Sequence, residues 1–428
     1  MLPDCDLVLK NASMPDGSVT DISIKNDYVI HTGSPVRSDL VIDCSEYICL
    51  PGAVDMHVHM RGGDKQSYKE TWESGSKSAL AGGVTTVVDQ PNTIPSITDT
   101  KTFTQRVREA KKESFCNFGI NGGVMPGCKI DEMYEAGALA FGEIFFAESS
   151  YGSAVDAEML RNSFLEISKR EALATVHAET VIEGDDNSLL SHDILRNCKG
   201  EAEAVQSVLK LAPLNLRLHF CHLSSPESIE KISGLKNVTF EVMPHHLFLS
   251  IEMFDDMDGR GKVNPPVRHE QTRKELWRKW DEIDVIASDH APHILSEKTA
   301  YEFSSVPSGL PGVETMIPLL MAMVLEKKIS LKSLIQKTVY KPSEIIGTES
   351  SGYTKGCRGD FALYPKYTTD IKAENLHSNA GWTPYEGMKA VFPEIVITGG
   401  NVAYNKGEFF KGFGRWIKGD GYIVDNNE

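Results

Sequence analysis

The chain has no CxxC pair. Its eight cysteines, Cys5, Cys44, Cys49, Cys116, Cys128, Cys198, Cys221 and Cys357, are scattered over 428 residues, which argues against a disulfide framework or a dithiol redox motif and suits a reducing compartment. A long hydrophobic run is also missing. The longest apolar stretch, around residues 317–325, is far too short to span a bilayer. The opening MLPDCDLVLK shows no basic segment leading into an apolar one, so a cytoplasmic protein is expected. Basic charge is in deficit, with 44 Lys and Arg against 60 Asp and Glu and a formal net charge of −16. Such a surface repels phosphate backbones and anionic lipid, which excludes nucleic acid and membranes as expected partners. A small anionic substrate stays open, because a pocket can gather cationic charge that the global sum hides. Short repeats and low-complexity tracts are absent as well.

What is present is ordinary globular material, 41% hydrophobic and 24% charged, with enough length for a large core. Residues 1–50 alternate short apolar runs (DLVLKNA, DISIKNDYVI, DLVIDCS, YICLP) with turn residues, and the same texture returns in GDFALYP, AVFPEIVITGGNVAYNKGEFF and GFGRWI within residues 351–428. Both ends are expected to build one small β domain. Between them, over residues 51–350, apolar segments (GVTTVVD, FGEIFF, LATVHAE, LRLHFCHLS, VTFEVMPHH, DVIASDHA) alternate with amphipathic helical ones such as EMLRNSFLEISKR. That alternation over about 300 residues predicts an α/β fold, a (β/α)8 TIM-type barrel.

The sharpest local feature is His57-Val58-His59 after PGAVDM. Residues two apart on a strand face the same way, so both imidazoles converge as a chelating pair. Alone, the pair is equally a set of polar histidines on a strand. Its company decides the reading. His177 closes LATVHAE, His222 closes LRLHFCHLS and Asp289 closes DVIASDHA, each where an apolar strand gives way to a loop, and in a parallel barrel all such ends open on one face. Arg61 shares strand parity with His57 and His59, which predicts a guanidinium fork beside the metals, suited to a carboxylate.

In this order the motifs resemble the amidohydrolase superfamily, and KETWESGSKSALAGGVTTVVDQPNT, EVMPHHLFLS, GKVNPPVR, ASDHAPH, SGLPGVETM and NAGWTPYEG resemble its dihydroorotases, from about residue 50 to about residue 390. The resemblance implies a barrel with a β-sandwich side domain and two divalent ions, zinc as a rule. His57, His59 and Asp289 would hold one ion, and His177 and His222 the other. Arg61, Asn92 and His293 match positions that grip the substrate's carboxylate and neighbouring groups, with backbone at Asn264 and around Gly309 framing its ring. The implied reaction is the reversible cyclisation of N-carbamoyl-L-aspartate to dihydroorotate, by metal-bound hydroxide with Asp289 as general acid and base. A homodimer and association with other pyrimidine-pathway enzymes stay open.

Three departures stand out. Aligning FGEIFFAES with the family's fourth strand places Glu143 where a carbamylated lysine usually bridges the metals. An unmodified glutamate is already anionic and can bridge, but its shorter reach leaves a one-metal site or a non-catalytic relative open. Gly62, Gly63 and Asp64 replace the usual acid-Pro-Gly after HMR, and Gln90 stands where a Met usually precedes PNT. Cys221 and Glu241 match a third metal position of some relatives. Strand alternation sends Cys221 and His222 to different sides, and this weighs against that site. His31, His192, His219, His245, His246, His269, His290 and His377 are read as structural. Other cyclic amidases, allantoinase or dihydropyrimidinase among them, are the alternative reading, and a metal-free binding scaffold is the alternative from another class.

Overall fold

The computed structural model describes residues 4–34, 37–146 and 155–423. Near the N-terminus, alternating runs form β1 (Leu7–Ser13), β2 (Val19–Lys25), β3 (Tyr28–Gly33) and β4 (Val41–Asp43), paired in the order β3-β2-β1-β4. One face of β1 and β2 buries Leu7, Leu9, Ile22 and Ile24 completely, as period-two patterning requires. β5 (Tyr47–Pro51) leaves that sheet for a partner 310 residues further on.

The central strands are buried on both faces and rich in Val and Ile, as parallel strands covered by helices should be. β6 (Ala53–Val58), β7 (Val84–Asp89) and β8 (Asn117–Ile120) form one parallel run. β9 (Ala140–Phe145), β10 (Leu173–His177), β11 (Arg217–Phe220), β12 (Val238–Val242) and β13 (Val285–Ile286) form another. Parallel bridges between Gly122 and Phe141 and between Val58 and His290 join the two runs at both seams, so the eight strands close into a barrel. The expected (β/α)8 architecture is therefore observed. β8 had no counterpart among the expected strands: it is four residues long and contains a glycine, too little pattern to register. Helices Trp72–Gly82, Thr100–Glu113, Ala157–Ser168, Cys198–Leu211 and Glu270–Arg278 cover the outside. No helix of the described residues is long and apolar enough to cross a membrane.

Downstream, β14 (Phe361–Pro365) lies between β5 and a later strand, and short β15 (Thr369–Asp370) pairs with β16 (Lys389–Ala390). β17 (Ile395–Thr398), β18 (Asn401–Asn405) and β19 (Glu408–Phe409) complete the order β19-β18-β17-β14-β5. GFGRWI, expected as a strand, makes a single bridge from Trp416 to Phe118 under the barrel. The terminal sheet is pinned to the barrel by Tyr364, fully buried, whose hydroxyl donates to the Gly82 carbonyl at 2.9 Å. Gly83 ends the Trp72–Gly82 helix at φ 86°, and a Cβ there would overlap that hydroxyl, so glycine is needed for both turn and contact. Tyr364→Phe leaves the carbonyl unpaired and is expected to cost about 1–2 kcal/mol of stability; urea unfolding should show that loss while turnover stays at the unsubstituted rate.

Candidate metal centre

The histidines and Asp289 stand where barrel strands end, while Glu143 lies within β9. His57 is the penultimate residue of β6, with His59 just beyond it, His177 is the last residue of β10, and His222 and Asp289 follow β11 and β13. Arg61, His222 and Asp289 have φ of 46°, 36° and 45°, in the left-handed region that non-glycine residues enter at a cost and that clusters at functional sites. The chain turns sharply here to aim these side chains into the mouth. Arg61 lines the mouth, but for another reason than the one expected. β6 stops at Val58, so strand parity does not extend to residue 61.

Glu143 is the hub. Its Oε1 lies 2.6 Å from His222 Nε2 and 3.0 Å from His177 Nδ1, while its Oε2 lies 3.6 Å from His57 Nε2. Asp289 Oδ1 closes the other side, 3.1 Å from His59 Nε2 and 3.6 Å from His57 Nε2. All six side chains are buried. Two sets, His57 with Glu143 and His222, and His57 with His59 and Asp289, bring their donor atoms within 4.8 Å of one another. Among the described residues, His57 Nε2, which faces both Glu143 and Asp289, is buried without a hydrogen-bond partner, as a nitrogen reserved for a metal would be. Gly142 positions the hub: it has φ 131°, and a Cβ would overlap the Thr175 carbonyl.

Burial opposes charge on every carboxylate here, and the imidazoles outweigh it. Hydrogen bonds from His177 and His222 hold Glu143 well below the usual carboxylate range. Asp289 is lowered against its burial by His59 and His57. Conversely, burial opposes protonation of His177, yet Glu143 and Glu179 raise it to about 9. The centre is a set of fixed anions wanting cations between them.

The roles of the partners behind the ligands were not legible in the sequence. Glu179, fully buried, accepts from His177 Nε2 at 3.0 Å and pairs with Arg196. This fixes the ring so that Nδ1 faces the centre. Asn92 Oδ1 lies 2.8 Å from His59 Nδ1, so Asn92 orients a ligand while it lines the mouth. Asp55 Oδ1 accepts from the Ser288 amide at 3.0 Å, beside Asp289.

Arg61, Asn92, Asn264 and Gly309 line the cavity above the ligands together with Phe145 and Ser308. His293 stands behind Arg61, its Nε2 3.4 Å from Arg61 Nη2 and its Nδ1 3.0 Å from Lys69 Nζ. Burial, joined by the Arg61 and Lys69 charges, pushes its pKa down to about 3 against the pull of Glu297. A neutral imidazole stands between two cations, and since Lys69 is paired with Glu297 at 3.0 Å, the Arg61 guanidinium leaves the corner positive in an acidic protein. Lys69, the first residue of the KETWESG motif, was not singled out as a site residue in the sequence; it lies in the turn before the Trp72–Gly82 helix.

His57 carries a second set on its other nitrogen. Its Nδ1 lies 2.5 Å from Glu241 Oε1, and Cys221 and Glu241 offer donor atoms within 4.8 Å of it and of each other. Strand alternation does separate Cys221 from His222. Since an imidazole has a nitrogen on each side, that separation brings Cys221 to His57 from the face opposite the Glu143 group. His219 Nε2, 3.3 Å from Glu241 Oε2, backs this acid. Of the histidines read as structural, His192 also borders the site, bonded to Asn264 Oδ1 at 2.9 Å.

Comparison with known proteins agrees with this geometry. The amidohydrolase family profile matches residues 48–393. The dihydroorotase of Methanosarcina acetivorans is 40% identical, the match covering 92% of this chain and 92% of that protein. That of Methanosarcina mazei is 38% identical over 94% of this chain and 96% of its own length. Among solved structures, the L-hydantoinase (dihydropyrimidinase) from Arthrobacter aurescens superposes with a TM-score of 0.90 at 27% identity, covering 98% of this chain and 100% of that one.

Removing the hub tests the centre directly. Glu143→Ala is expected to weaken retention of divalent metal by more than about tenfold in chelator competition, with Asp64→Ala, at an acid outside the ligand set, as the unaffected control. Equal retention in both would show that Glu143 holds no metal.

Proposed function

The chain belongs to the amidohydrolase family and, within it, to the dihydroorotases, and from that premise we propose how its residues divide the opening and closing of the dihydroorotate ring amide. The observation that carries the proposal is the placement of Glu143, with one carboxylate oxygen facing His177 and His222 and the other facing His57. This is what a bridge between two cations needs. One ion would sit among His57, His59 and Asp289, the other between His177 and His222, with zinc the species that imidazole and carboxylate donors suit. The pairing of imidazole, thiol and carboxylate at His57, Cys221 and Glu241 supports a further zinc position on the far side of His57. When bound, the ions supply Lewis acidity, which lowers the pKa of water and polarises an amide carbonyl.

The protein's own groups do the rest. Asp289, held ionised beside His59, takes a proton from the attacking water and passes it to the departing ring nitrogen; in the closing direction it runs the transfer backwards. The corner formed by Arg61, Asn92 and His293 receives the substrate carboxylate, with Lys69 beside His293. Backbone at Asn264 and Gly309 frames the ring. This corner favours dihydroorotate over cyclic amides that lack a carboxylate, and the complete buried ligand set favours an enzyme over a binding scaffold. Family resemblance supports a cytoplasmic location and assembly as a homodimer or with other pyrimidine-pathway enzymes. It also supports dividing the chain near residues 50 and 350 into a barrel and a domain formed by both ends.

Two measurements test the reading. In a panel of dihydroorotate, allantoin, hydantoin and dihydrouracil, kcat/KM should be highest for dihydroorotate by at least about a hundredfold, since buried donors left unpaired penalise a ligand without the carboxylate; preference for another member overturns the assignment. Ring closure takes up one proton, because a carboxylate becomes an amide. The closed form should therefore gain about tenfold per unit fall in pH near neutrality. An equilibrium that does not move with pH would rule the reaction out.

A further inference from the structure

The motif NAGWTPYEG, residues 379–387, belongs to neither sheet built from the chain's ends. It lies in the segment between β14 and β17, whose base is closed by the pairing of β15 with β16 and whose middle crosses to the catalytic face of the barrel. Two carboxylates fasten it there. Glu70, fully buried, accepts from the Ser378 hydroxyl at 2.5 Å and the Asn379 amide at 3.3 Å. Glu314, 5% exposed, accepts from the His377 amide at 2.8 Å and lies 2.7 Å from His377 Nδ1.

Beyond this clasp the segment delivers Trp382. The indole Nε1 donates to the backbone carbonyl of His293 at 2.8 Å. Its ring shares a buried cluster with Val263, Leu310 and Tyr385, and the first two are chain neighbours of Asn264 and Gly309. The ammonium of Lys298, 6.0 Å from the centre of the indole ring, ties the Lys262 and Pro307 carbonyls at 2.8 Å each. The buried indole is therefore tied to the His293 stretch and shares its apolar cluster with the neighbours of Asn264 and Gly309, while Arg61 and Asn92 stand on other stretches. His293 is the most dependent on it. Its side chain is held among cations, and its backbone carbonyl by a residue almost ninety positions away.

We propose that Trp382 is a positioning residue for His293, so that the segment around residues 371–391, brought from the far end of the chain, is a wall of the active site. The proposal rests on the assignment of His293 to the substrate carboxylate. Nothing in it requires Trp382 to touch substrate.

Trp382→Phe keeps the ring and removes the N–H. One lost neutral hydrogen bond corresponds to about a fivefold change, so KM for dihydroorotate should rise about fivefold with kcat and bound metal unchanged. In a His293→Ala background the same substitution should change KM less than about twofold, the non-additivity that residues acting through one another show. Amide hydrogen exchange of residues 291–299 should also quicken in Trp382→Phe. An unchanged KM, unchanged exchange, or an equal rise in both backgrounds overturns the proposal. If His293→Ala alone leaves KM unmoved while exchange still quickens, the assignment of His293 falls and the tether stands. Ser378→Ala, which loosens the clasp and leaves the indole intact, should give a smaller rise of the same kind and carries the test if Trp382→Phe does not fold; no rise there then counts against the proposal.

Discussion

A buried carboxylate with no lysine or arginine against it is among the most costly things a protein can hold, and among the described residues this fold is arranged around one whose ion-pair partners are all histidines. Glu143 sits on β9 with imidazoles on both of its oxygens. Every feature of the mouth serves that arrangement: ligands at strand ends, a glycine before the acid that no other residue could replace, and partners such as Glu179 that turn each ring the right way. On the reading proposed above, a side chain shorter than a modified lysine would serve here, because the histidines close in on it from both sides.

The second organising constraint is separation of charge. The chain as a whole is strongly acidic, yet Arg61, Lys69 and His293 gather in one corner of the cavity. Low dielectric and exclusion of water make that corner count for more than the distant surface charge, which solvent screens. A chain unsuited to polyanions can thus still bind a small carboxylate beside its metals.

Much of the site was legible beforehand because strand ends leave a signature: an apolar run, then a histidine or an acid. His57, His59, His177, His222 and Asp289 were found this way, and Glu143 by its alignment with the fourth strand. The errors came where local periodicity was stretched too far. Parity was carried past Val58 to Arg61, although the backbone leaves the strand there. Alternation at Cys221 and His222 was held against a further metal position, although the candidate donors Cys221 and Glu241 approach His57 from the side opposite Glu143. Lys69, Glu179 and Trp382 lie within the quoted KETWESG, LATVHAE and NAGWTPYEG, but none was singled out, since a charged or aromatic residue in a turn or loop looks the same whether it faces solvent or a neighbour from elsewhere in the chain.

The sequence by itself determined the barrel, the ligand types and the class of chemistry, because these depend on hydrophobic period and on residues placed just past each strand. Only the tertiary structure decided how Glu143 divides its two oxygens, that His57 offers one nitrogen to each of two groups, and that residues near 380 wall a site begun at residue 57. Those are contacts between segments far apart in sequence. They are set by how closed strands and packed loops bring side chains together, and no local pattern encodes that.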